Sequence, residues 1–168
     1  MGMRVRRLGT SLTMVAVLAV ATLASSSCAV VETPRPTWNN GKVDVRAEIV
    51  IATWIRDARA FWGQHQITLH GTLTDKGRAW SDWMSVGGCG GASICHSQLS
   101  QGINGRVPSW SLLGENVGVG GDLQSLWNAF MNSPGHRANV LDPRWNFAGI
   151  GVIRSGHRYY VTMEFMRA

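Results

Sequence analysis

The segment DLQSLWNAFMNSPGHRANVL, residues 122–141, runs directly into DPRWNFAGIGVIRSGHRYYVTMEF, residues 142–165, and the apolar spacing changes between the two. In the first, Leu123, Leu126, Trp127, Phe130 and Met131 recur at three- and four-residue steps. That is one face of a helix, with Asp122 as its N-cap and Pro134-Gly135 as its stop. In the second, two short apolar strands, Phe147–Ile153 and Tyr159–Phe165, are joined through Arg154-Ser-Gly-His157, a hairpin. Tyr159, Val161, Met163 and Phe165 fall on one side of the second strand by alternation.

Upstream, Ile51, Ile55, Ala58 and Trp62 place a helix with one buried stripe over Val45–Trp62, and Gly63 ends it. Thr74 and Asp75 offer an N-cap to a second, shorter helix carrying Ala79, Trp80, Trp83 and Met84. Residues 87–121 hold ten of the chain's twenty glycines, which predicts mostly loop. Helices early and strands late, without β-α-β alternation or an internal repeat, indicate an α+β layered domain. Of the eight tryptophans, Trp54, Trp62, Trp80, Trp83 and Trp127 fall on helices and read as packing residues. Trp38, Trp110 and Trp145 lie in loops, where core packing or the lining of a groove are the two readings.

The N-terminus carries Arg4, Arg6 and Arg7, then the apolar run Met14–Ala21, and no acid before Glu32. This is the pattern of an export signal over 1–27; its apolar run is too short to span a bilayer comfortably, and an uncleaved anchor is the lesser reading. Residues 28–42, with Thr33-Pro-Arg-Pro36 and Asn39-Asn-Gly41, read as a linker, and 43–168 as a single domain. The formal charge of +6 owes three units to the signal arginines. No Lys/Arg cluster remains in the domain, so nucleic acid is not an expected partner.

Export leads to an oxidising compartment, where Cys89 and Cys95 are expected to pair across a Gly-rich loop. Two free thiols, or a Cys/Cys/His metal site using His96, are the alternatives. Cys28 stands where signal cleavage falls. It is either the lipidated first residue of a lipoprotein or is removed by cleavage after Ala29.

The elements Leu112-Leu-Gly-Glu115-Asn116, Ser133-Pro-Gly-His136-Arg137-Ala-Asn139, Phe147-Ala-Gly-Ile-Gly-Val152 and Tyr160-Val-Thr-Met-Glu-Phe165 follow one another in a recognisable order. In them the chain resembles the CAP superfamily (SCP/TAPS: cysteine-rich secretory proteins, antigen 5, pathogenesis-related 1), and the short bacterial members most. The resemblance implies a three-layer α-β-α sandwich whose central groove holds two histidines and two glutamates. It points to His96 and His136 as the histidines and to Glu115 as the first glutamate. The second glutamate has no match, since no acid lies between Asp122 and Asp142. Arg56 stands where an asparagine is usual, three residues before Arg59.

Two imidazoles facing one groove can hold zinc or another divalent cation, with Glu115 either as third ligand or as the group that orients one imidazole. Alternatively His136 caps its helix locally, and Glu115 accepts backbone N–H bonds to pin the Gly-rich segment. His65, His70 and His157 read as surface histidines, and Asn116, Arg137 and Asn139 as stitches between loop and groove wall. The resemblance implies an exported, non-catalytic protein, secreted or lipid-anchored at the cell envelope, that binds a small or lipid-like ligand and a divalent metal. A metal-assisted hydrolase of peptide or cell-envelope substrates, with Glu115 as general base, is the alternative. A purely structural envelope protein is the third reading.

Overall fold

A computed structural model describes residues 42–168; the expected signal, Cys28, Trp38 and nearly all of the linker lie outside them. In chain order the elements are β1 (Lys42–Val43), α1 (Val45–Phe61), β2 (Thr68–Leu69), α2 (Gly71–Ser85), β3 (Leu112–Gly120), α3 (Leu123–Asn132), α4 (Pro134–Leu141), β4 (Phe147–Ser155) and β5 (Arg158–Arg167). The sheet runs β1-β4-β5-β3, and β2 pairs in parallel with the start of β4. The β4–β5 hairpin turns at Gly156, whose φ of 58° suits a residue without a side chain.

Alternation along β5 sorts the two faces of the sheet. Val161, Met163 and Phe165 join Ile51, Ile55, Leu126, Phe130 and Val140 in the main core, which places α1, α3 and α4 on that side. Tyr160, Thr162, Glu164 and Met166 face the other side, which α2 covers. The result is the α-β-α sandwich. Helix α2 lies close on the sheet because glycines leave room for it. A Cβ on Gly151 would stand 2.0 Å from the backbone nitrogen of Arg78, and one on Gly149 2.2 Å from the carbonyl carbon of Leu73. Ser81 Oγ then donates to Gly151 O and meets Thr162 Oγ1 at 2.9 Å.

Several local expectations are revised. α1 ends at Phe61 and leaves Trp62 55% exposed, whereas Arg59 is fully buried. Arg59 takes the place of an apolar stripe residue because its guanidinium meets the carbonyls of His65, Val140 and Asp142, each at 2.9 Å. α2 begins at Gly71 rather than at Thr74–Asp75, since His70 Nδ1 caps the Thr72 N–H. Residues 112–120 are strand rather than loop: Gly114 and Gly118 there admit the rings of Trp145 and Phe130. Pro134-Gly135 ends α3 but also opens α4, because proline fits a first helical turn. Trp145 is buried and stacks on Phe165, while Trp110 is partly exposed. His65 is exposed, as expected, with Nε2 2.8 Å from the Trp145 carbonyl, whereas His70 is half-buried and caps α2.

Candidate functional site

The site is built on β3, an edge strand. Successive strand residues point to opposite faces, and Glu115 and Asn116 use this to reach both layers. On the α2 side, Glu115 Oε1 accepts from the Ser97 N–H at 2.9 Å and meets His96 Nδ1 at 2.8 Å. On the α3/α4 side, Asn116 Nδ2 donates to the His136 carbonyl at 3.0 Å. Asn139 ties the two sides by donating to Glu115 O and to Asn116 Oδ1. Asn116 and Asn139 thus stitch β3 to α4, while Arg137, read as a third stitch, is exposed.

The His96 side chain is 63% exposed although its Nδ1 rests on a carboxylate that is 1% exposed. An ionised Glu115 keeps the proton on Nδ1, which leaves the Nε2 lone pair free on the far side of the ring. Burial acts to raise the Glu115 pKa, but the bonds from Ser97, the bond from His96 and the charge of Lys76 outweigh it, and the carboxyl titrates below its ordinary range. His136, in the first turn of α4, sets its ring edge-on to Phe130 at 5.2 Å. Burial, and then repulsion from His96, lower its pKa and favour the neutral imidazole. Among the described residues, no group of three or more His, Cys, Asp or Glu side chains is arranged to hold a metal.

Behind Glu115 lies a buried cluster that the sequence reading did not include. Glu164 sits directly opposite Glu115 in the β3–β5 register. From α2, Lys76 places its ammonium 2.5 Å from Glu164 Oε1, 2.6 Å from Ser97 Oγ and 3.6 Å from Glu115 Oε2. Burial pushes the Glu164 pKa up to about 8; Lys76 opposes the rise and Glu115 adds to it. A readable signal existed: an acid within a strand covered on both faces has nowhere exposed to go. Cys89 and Cys95 form the expected disulfide, with Cα atoms 5.7 Å apart, immediately before His96.

The fold is a three-layer α-β-α sandwich, and its class is settled by the pattern of its sequence. The chain belongs to the CAP, or cysteine-rich secretory protein, family, whose pattern matches residues 55–165. No curated protein sequence matches it. Among solved structures, it is similar to an outer surface protein of Borrelia burgdorferi, at 17% identity and a TM-score of 0.61 over 76% of this chain and 98% of that one. An extracellular protein containing an SCP domain from Bacillus anthracis aligns at 19% identity and a TM-score of 0.60, over 74% of this chain. A cysteine-rich secretory protein from Staphylococcus aureus aligns at 18% and 0.59, over 81% of this chain. The chain spans only 41% and 42% of the last two proteins. At such identities the likeness is one of fold.

Proposed function

We propose that this is an exported CAP-domain protein whose groove holds a divalent cation of the zinc type between His96 and His136 and receives a small or lipid-like ligand there, without catalysing a reaction. The observation that carries the reading is the bond from the exposed His96 ring to the buried Glu115, which prepares one imidazole nitrogen as a donor. Neutral His136 supplies the second. Two imidazoles suit zinc chemically, and a site with so few protein donors exchanges its ion readily. Such an ion would supply open coordination positions to an oxygen of the ligand. Export is supported by the basic and apolar N-terminal segment, by the disulfide, and by similarity of fold to outer-surface, extracellular and secretory proteins. Lipid attachment at Cys28 fits the same reading, and mass spectrometry of the mature protein distinguishes it from cleavage after Ala29.

The hydrolase alternative asks Glu115 to take a proton from water. Its burial away from water and its lowered pKa, which makes it a weaker base, oppose that role, so the non-catalytic reading is preferred. The test is thermal denaturation of the full chain with and without Zn²⁺ near neutral pH. Excess Zn²⁺ is expected to raise Tm by a few degrees, on the order of what binding at 100 times Kd provides. His96→Ala combined with His136→Ala abolishes the rise, and acidification below about pH 6 weakens it as the imidazoles protonate. An unchanged Tm at neutral pH contradicts the metal reading. Turnover of a peptide or envelope substrate that Glu115→Gln abolishes would establish the hydrolase instead.

A further inference from the structure

A cavity of about 540 Å³ lies between α2 and the loop that follows it, within the size range of small-molecule sites. It is lined in part by Lys76 and Ser97, which also contact Glu115. Its other side is made by two indoles of α2, Trp80 and Trp83.

Both indoles are fixed in place. Trp80 Nε1 donates to the Cys95 carbonyl at 2.7 Å, and Cys95 is in turn bonded to Cys89. Trp83 is wedged against the chain at Gly88, where a Cβ would stand 2.2 Å from the indole carbon Cε2. Trp83 nevertheless remains 51% exposed. An indole that is clamped but uncovered is a ready stacking surface, because its contact costs little side-chain entropy.

The charges around the cavity are unequal. The ammonium of Lys76 donates to Glu164 and has its charge matched by the ionised Glu115, 3.6 Å away. Arg106, also lining the cavity, donates from Nη1 to the Gly102 carbonyl at 3.3 Å and forms no ion pair among the described residues. Its remaining guanidinium donors have the forked geometry that binds a carboxylate through two oxygens.

We propose that this cavity is a ligand site, distinct from the histidine groove, for a flat ring carrying one carboxylate. The ring lies against Trp83 and the carboxylate pairs with Arg106. One uncompensated cation selects one negative charge, and the clamped indole selects a planar apolar face.

The experiment titrates 2-naphthoate into the full-chain protein, followed by calorimetry and by tryptophan fluorescence, with 2-naphthylmethanol as the uncharged probe bearing the same ring. Saturable binding of naphthoate at one site is expected, with the alcohol at least about fivefold weaker. Arg106→Gln removes the preference for the anion. Trp83→Ala weakens both probes by about tenfold or more; both positions are exposed, so circular dichroism is expected to show an unchanged fold. Should Trp83→Ala fail to fold, Arg106→Gln still decides the matter. His136→Ala, which disables the proposed cation site, leaves naphthoate binding unchanged. Absence of saturable binding, equal affinity for the two probes, or loss of naphthoate binding in His136→Ala would each overturn the proposal.

Discussion

Glu115 and Glu164 face each other across β3 and β5, yet their carboxyls titrate in opposite directions. Glu115 receives hydrogen bonds that favour its charged form. Glu164 is buried, with a single ammonium for support and a neighbouring carboxylate against it, and it holds its proton up to about pH 8. The unfolded chain releases that proton near the ordinary carboxylate value. The stabilisation from protonated Glu164 is therefore complete in acid and is lost as pH rises through about 8. Glu164→Gln removes this loss, so Tm of the variant relative to the native protein is expected to climb between about pH 5 and pH 9 in a thermal denaturation series. A constant difference would mean that Glu164 is already ionised at neutrality. His136 acts in the opposite sense. Its lowered pKa contributes stability that is present above the ordinary imidazole value and lost on acidification, so His136→Asn flattens the decline between about pH 7 and pH 5. The sequence made His96, Glu115 and His136 visible through their motifs. It did not reveal Lys76 or Glu164, because the chemistry of each depends on a partner 88 positions away.

At the scale of elements, the position of α2 depends on glycines that carry no chemistry of their own. Gly151→Ala would drive a methyl group into the backbone of Gly77 and Arg78. The expected cost is about 3 kcal/mol, read from urea denaturation, because neither backbone can yield without moving the helix. Gly135→Ala is the control: a Cβ there meets nothing within 4 Å, and stability should hold or rise slightly. Equal effects of the two substitutions would contradict close packing as the reason for Gly151. The amphipathic face of α3 and the β4–β5 hairpin were legible in the sequence because their spacing is local. The start of α2 was not, because a histidine supplies its cap in place of the expected Thr-Asp pair. β3 was hidden for another reason. Its glycines look like loop residues until Trp145 and Phe130, from later in the chain, are seen to occupy the space above them.

In the molecule as a whole, three layers are held together by a few buried polar ties as well as by the core. Arg59 joins α1 to the end of α4 and to the chain before β2. Glu48 joins α1 to Arg78 on α2 and to the backbone of β4 at Val152. Arg59→Met keeps the volume and loses the bonds; it is expected to cost about 3 kcal/mol by leaving three carbonyls with a lost donor. A change below about 0.5 kcal/mol would show that water replaces the guanidinium. Glu115 meets the His96 ring on one side of β3 and Asn116 donates to the His136 carbonyl on the other, and the proposed function requires the two rings to reach one ion across that edge. Calorimetric titration of Zn²⁺ into the native protein and into the single variants His96→Ala, His136→Ala and Glu115→Gln tests it most directly. The account predicts one ion per chain, binding lost in either histidine variant, and affinity lowered by about tenfold or more in Glu115→Gln. Full affinity retained in one of the histidine variants would show that the two rings do not share an ion.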